Sequence, residues 1–148
     1  MPDMTAVPPL SAYLVCADAA KAIDFYVAAF GARELVRVPR PDGKILHASL
    51  DVNNGGLLML TDEMPQMGAL SPLSLKGSSV TLHLAVPDCD ALHARAVAAG
   101  AKTIMPPQDQ FWGDRYAMIE DPSGHRWSIG QRLRDMSAEE LVAAGRAA

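Results

Sequence analysis

Four histidines set the first chemical question in this 148-residue chain: His47, His83, His93 and His125. An imidazole can pass a proton near neutral pH or ligate a divalent ion, so what matters is which of them share a surface. Side chains alternate between the two faces of a strand. In the run Leu10 to Cys16, Leu10, Ala12, Leu14 and Cys16 fall on one face and Ser11, Tyr13 and Val15 on the other. In the run Val80 to Val86, Val80, Leu82, Leu84 and Val86 oppose Thr81, His83 and Ala85. His47 and Ser49 likewise oppose Leu46, Ala48 and Leu50, while Arg126 and Ser128 oppose Trp127 and Ile129. The wholly apolar faces belong under helices, which leaves the mixed faces to line a cleft containing His47 and His83. Both are read as hydrogen-bonded wall residues, with proton transfer or metal binding as the alternatives. His93 is read as a helix-surface residue, and His125, after Asp121-Pro-Ser-Gly124, as one that fixes a hairpin turn.

Other groups extend the cleft. Arg115 and Arg126 can hold an anion through two parallel hydrogen bonds, or simply be solvated at strand ends. Phe111 and Trp112 are adjacent in a chain with only 5% aromatic residues; they suit stacking on a planar ligand, or filling a core edge or dimer seam. Tyr13 offers a phenol to a bound oxygen. Cys16 and Cys89, with no CxxC spacing, read as small buried hydrophobes. The sequence contains no glycine-rich phosphate loop, nucleophile elbow or Cys/His dyad.

These residues need a frame, and the chain supplies one twice. Ser11 to Asp18 and Thr81 to Asp88 each read as a strand followed by an Asp, an Ala-rich helix and Gly-Ala, at Gly31-Ala32 and Gly100-Ala101. Asp18 and Asp88 (or Asp90) can cap the helix starts, and the glycines end them. Ala19, Ala22, Ile23, Tyr26 and Phe30 share one helical face, as do Leu92, Ala96 and Ala99. Strand-like runs follow at 34–38, 45–50 and 57–60, and again at 102–105, 115–120 and 126–129, with turns at Asn53-Asn-Gly-Gly56 and Asp121-Pro-Ser-Gly124. The pattern predicts an α+β chain of two βαβββ modules over 9–63 and 78–132, a linker over 64–77 and a tail over 133–148. In the tail, Ser137 and Glu140 form a capping-box pattern, with Met136 and Leu141 as a hydrophobic staple, for a short helix that packs on the domain or a partner.

Composition narrows the function classes. With 49% hydrophobic and 20% charged residues the chain can fold around a core, and at this length a domain buries roughly 70% of its unfolded surface. A net charge of −4 removes the basic field that nucleic-acid binders carry. No apolar run approaches the ~20 residues of a membrane helix, and Met1 to Pro9 lacks the basic and apolar regions of a leader. A soluble cytoplasmic protein, with no nucleic-acid or membrane partner, is expected.

The repeated βαβββ plan, Ala22-Ile-Asp-Phe-Tyr26 with Phe30-Gly31, and Asp121-Pro-Ser-Gly-His125 resemble the vicinal oxygen chelate superfamily of glyoxalases, extradiol dioxygenases and bleomycin-resistance proteins. His47-Ala48, Phe111-Trp-Gly-Asp-Arg115 and Gly124-His-Arg-Trp-Ser128 are similar to its PhnB-like branch. The resemblance implies a concave mixed sheet bearing a ligand cleft, and a homodimer. It also implies four symmetric metal places, which fall on Ser11, Met59, Thr81 and Ser128. None is an imidazole or carboxylate, so the expectation is a small organic ligand held without a metal or other cofactor. The expected binding set is Ser11, Tyr13, His47, Met59, Thr81, His83, Trp112, Arg115, Arg126 and Ser128. The alternative is a metal-dependent lyase or dioxygenase that recruits His47 or His83 to a shifted site. A third reading, an interaction module, predicts a cleft filled by its own side chains.

Overall fold

Asp18 and Asp88 each stand one residue before a helix, and in the computed structural model, which describes residues 7–148, each carboxylate caps the turn that follows. Residues 1–6 of the stretch read for a leader lie outside the described residues. Asp18 accepts from Lys21 N at 3.1 Å and Asp88 from Ala91 N at 3.0 Å. The helices are α1 (Ala19–Phe30) and α3 (Cys89–Ala98). A second acceptor supports each start: Asp62 takes Ala19 N at 2.8 Å, and Gln131 takes Cys89 N at 3.0 Å. Gly31 ends α1 with φ 66°, a left-handed conformation that costs glycine little.

The strands are β1 (Ala12–Cys16), β2 (Arg33–Pro39), β3 (Ile45–Val52), β4 (Gly56–Asp62), β5 (Thr81–Ala85), β6 (Lys102–Asp109), β7 (Asp114–Glu120) and β8 (Arg126–Arg132). They form two four-stranded mixed sheets with the same plan, β1-β4-β3-β2 and β5-β8-β7-β6, in which only the β1/β4 and β5/β8 pairs are parallel. The fold is α+β, as the repeat predicts. β6 runs four residues beyond the expected Met105, through Pro106 and Pro107, because an outer edge strand tolerates prolines that donate nothing to the ladder.

The two sheets do not join into one ladder. Across the gap between β1 and β5, Asn53 Nδ2 donates to Ala85 O at 2.9 Å and His125 Nε2 to Val15 O at 2.8 Å. His125 therefore ties the modules together through its ring, while its backbone takes its expected part in the hairpin by exchanging hydrogen bonds with Asp121. The Asp121 carboxylate holds that turn further. One of its carboxylate oxygens accepts Ser123 N and His125 N, at 2.9 and 3.0 Å; the other accepts Trp127 Nε1 and the Tyr26 hydroxyl. A carboxylate this deeply buried is stable only when its lone pairs are so occupied.

Tyr26 brings α1 of the first module against the second. Trp127 packs on Tyr26 and Phe30, with ring centroids 5.4 and 4.9 Å apart. α1 buries seven residues, while α3 buries only Cys89 and Ala96, so the first helix covers much of the shared core. Burial, then the nearby Asp121 carboxylate, raises the Tyr26 phenol well above its ordinary value, and the same two causes push the Cys16 thiol up to about 12. Both cysteines are buried and unpaired.

The linker region contains a 3₁₀ turn (Pro65–Met67) and α2 (Pro72–Leu75). Glu63 pins it by accepting from Ser71 N at 2.9 Å and Ser74 Oγ at 2.6 Å. The tail helix α4 (Ala138–Ala147) is capped by Ser137, which accepts from Glu140 N at 3.1 Å. The reciprocal half of the expected capping box is not made: Glu140 meets the Ser137 hydroxyl, not its backbone N–H. α4 buries none of its residues, so the expected packing on the domain is slight. Among the described residues no helix is long and apolar enough to cross a membrane.

Candidate functional site

Strand register decides which side chains meet on the faces away from the helices. In the first sheet Tyr13 lies opposite Met59, and Met59 opposite Ser49, with His47 two residues earlier on the same face. In the second sheet His83 lies opposite Ser128, and Ser128 opposite Met118, with Tyr116 two residues earlier. The repeat thus superposes Tyr13 on His83, His47 on Tyr116, Ser49 on Met118 and Met59 on Ser128. Each half-site holds one Tyr, one His, one Ser and one Met.

The first half-site is linked internally. The Tyr13 hydroxyl lies 2.8 Å from His47 Nδ1, and His47 Nε2 lies 3.0 Å from Ser49 Oγ, so both ring nitrogens are engaged. Tyr13 is half exposed and Ser49 buried.

The second half-site makes fewer internal hydrogen bonds. His83 Nδ1 bonds Ser128 Oγ at 2.7 Å, and the imidazole lies parallel to the Tyr116 ring, 6.3 Å between centroids. Trp112 meets Tyr116 edge-on at 5.3 Å, and Phe111 meets Trp112 at 5.0 Å. Four rings thus run from the strand surface to the 111–112 loop. Gly130 makes this possible: a Cβ there would stand 2.8 Å from His83 Cε1 and 3.0 Å from Nε2. The imidazole rests on bare backbone.

The remaining expected residues separate from these groups. Ser11 precedes β1, and its hydroxyl is buried without a partner among the described residues. Thr81 is exposed and lies opposite Arg126, so neither sits at the level of Met59 and Ser128. Arg126 lines the gap between the modules. Arg115 is a correction. It points to the helix side of β7, away from His83 and Tyr116, where its Nε binds Asp90 at 3.0 Å and its Nη1 binds Asp109 at 2.9 Å.

Sequence reasoning missed Tyr116, Met118 and Gly130. The signal was available in the repeat, since aligning His47 with the second copy reaches Tyr116; the strand around Tyr116 was identified without following its parity.

A divalent metal, which the resemblance raises, does not fit these donors. The level of Met59 and Ser128 is completed by Tyr13 and His83, giving one imidazole beside a phenol, a thioether and a hydroxyl, with no carboxylate. Among the described residues no three His, Cys, Asp or Glu side chains converge as a metal set.

The duplicated frame recurs in known proteins. A Mycobacterium bovis protein described as uncharacterised is 52% identical over 140 residues, covering 93% of this chain and 91% of that one. TioX from Micromonospora sp. ML1 is similar in structure with TM-score 0.66 and 32% identity, covering 86% of this chain and all of TioX. TnmS3 from Streptomyces sp. CB03234, described as an antibiotic binding protein, matches with TM-score 0.62 and 28% identity, over 86% of this chain and 98% of its own. Residues 7–129, which carry both half-sites, match the family described as Glyoxalase/Bleomycin resistance protein/Dioxygenase superfamily, and the chain belongs to it.

Proposed function

We propose that the protein binds a small planar organic molecule by stacking on the second half-site, without a resident metal, and that it works as a homodimer. The observation that carries this reading is the run of rings from His83 through Tyr116 and Trp112 to the exposed Phe111. Such a run presents an aromatic edge and faces to a flat ligand, while the Tyr116 hydroxyl and the free side of the imidazole supply polar contacts. The antibiotic-binding description of TnmS3 points the same way. Exposed Met67, Leu73 and Leu75 on the inter-module segment offer apolar surface to a second copy.

Titration with planar polycyclic antibiotics, read by tryptophan emission, tests this reading. Quenching should be lost in Trp112→Phe, because Trp127 is buried away from the face. Trp112→Ala, followed by calorimetry, should weaken binding by about tenfold, ~1.4 kcal/mol. Unchanged affinity in that variant overturns the stacking site. One divalent ion per purified chain, lost in His83→Ala, would replace it with the metal-dependent lyase or dioxygenase reading. Sedimentation at micromolar concentration should give twice the chain mass.

A further inference from the structure

Along an edge strand, the N–H and C=O of every second residue point away from the sheet. On β1 two bonds identify that outward set: Val15 O accepts from His125, and Ala17 N donates to Ser123 Oγ at 3.1 Å. Tyr13 has the same parity. Its backbone N–H and C=O, with the Val15 N–H, therefore point outward too, and among the described residues they have no partner. The module-to-module bond from His125 closes the end of this edge and leaves its first half open.

That open half is one wall of a cavity of about 490 Å³, to which four consecutive residues, Ala12 to Val15, all contribute. Leu70, Pro72 and Leu75 of the inter-module segment and Leu82 of β5 make it apolar. Among the described residues its one strong cation is Arg126, whose guanidinium has no ion pair or hydrogen bond, and no carboxylate lines the cavity. The equivalent space beside β5 is smaller, about 200 Å³, and has Leu57 in the place of Arg126.

We propose that this cavity is a second binding site, separate from the aromatic face, for an N-acylated amino acid or short N-acyl peptide with apolar side chains. The ligand amide pairs with the Tyr13 and Val15 backbone as an added strand would, its side chains enter the apolar wall, and its carboxylate meets Arg126. Acylation follows from the charge pattern, because among the described residues lining the cavity no carboxylate receives a free ammonium group. The volume falls in the small-molecule range, roughly 300–1,000 Å³, and excludes a folded partner.

The test is a ¹⁵N-edited NMR titration of the whole chain with N-acetyl-Leu-Leu, its methyl ester and unacylated Leu-Leu. The Tyr13 and Val15 amides should shift with the first compound, and affinity should fall at least tenfold for the ester and for Arg126→Met. Leu-Leu should bind more weakly than its N-acetyl form. Amide dispersion verifies the variant's fold, and the ester series on the unaltered protein tests the carboxylate independently. Absence of shifts at Tyr13 and Val15, equal binding of acid and ester, or tighter binding of Leu-Leu overturns the assignment. The planar-ligand reading would stand in each case, since it is read at Trp112.

Discussion

The two half-sites carry the same four residue types with each pair exchanged: Tyr13, His47, Ser49 and Met59 on one sheet, His83, Tyr116, Met118 and Ser128 at the matching places on the other. The frame sets which positions face the cleft, yet exchanging the occupants changes their chemistry. With tyrosine on β1 and histidine on β3, the hydroxyl reaches the ring and the relay ends inside the protein at Ser49. With histidine on β5 and tyrosine on β7, the rings lie parallel, and the imidazole turns to Ser128. The Tyr116 hydroxyl and His83 Nε2 are then left without partners among the described residues. One copy satisfies itself, whereas the other is open to a ligand.

This division makes the second module the one whose anchoring matters most. Asp121→Ala removes an acceptor from three buried donors, including Tyr26 of the first module, and from the part-buried His125 N–H, and should lower unfolding free energy by about 3–5 kcal/mol in urea titrations. Asp62, buried in the first module, accepts only Ala19 N and Ile45 N among the described residues. Asp62→Ala should cost about 1–3 kcal/mol. Equal losses would mean that the tie between modules adds nothing beyond local turns.

Gly130→Ala attacks the open half-site directly. The new Cβ must displace the imidazole, for an expected loss of about 1–3 kcal/mol, together with loss of the His83–Ser128 bond in ring-proton NMR spectra. The matching place in the first module is Thr61, whose hydroxyl bonds the Asp62 carbonyl at 3.1 Å. Thr61→Ala should cost about 1 kcal/mol and leave the His47 resonances in place. If Gly130→Ala binds planar ligands as the unaltered protein does, the bare-backbone seat for His83 has no functional weight.

Most of the frame was legible because it is written in short-range signals. Asp18 and Asp88 mark helix starts by capping chemistry, and period-two alternation assigned Tyr13, His47, His83 and Ser128 to their faces. What escaped depends on tertiary neighbours. Arg115 looked free at a strand end, but Asp90 arrives from α3 and Asp109 from the paired strand β6. His125 looked local to its turn, but β1 supplies its acceptor from the other module. The level of Met59 and Ser128 was misjudged for the same reason: parity gives a face, whereas only the ladder says which residue stands opposite.

The phenols offer a finer comparison. Tyr13→Phe breaks the bond to His47 and should lower stability by about 0.5–1.5 kcal/mol. Tyr116→Phe removes a hydroxyl with no partner among the described residues, so its stability should stay within about 0.5 kcal/mol of the parent. Its effect should appear in ligand affinity alone. A stability loss in Tyr116→Phe as large as in Tyr13→Phe would erase the contrast between a closed and an open half-site.

The smallest effect concerns how each module hands the chain onward. At the end of β4, Glu63 holds the inter-module segment, and hydrogen bonds from Ser71 and Ser74 lower its carboxyl to about 2. At the matching end of β8, Arg132 binds Asp114 and the fully exposed Asp135. Because the folded value of Glu63 lies below the ordinary ~4.3, its contribution is fully present above that pH and is lost as pH falls toward 2. Hydrogen-exchange protection at the Ser71 amide should therefore decline over that interval in the parent and be low and pH-independent in Glu63→Gln. Arg132 and Asp135 face solvent, so tail protection should respond to added salt. Parallel pH profiles for parent and Glu63→Gln would show that the segment lining the proposed peptide cavity is held by α2 on the 121–124 turn, where Leu73 N donates to Ser123 O at 3.2 Å, not by the carboxylate.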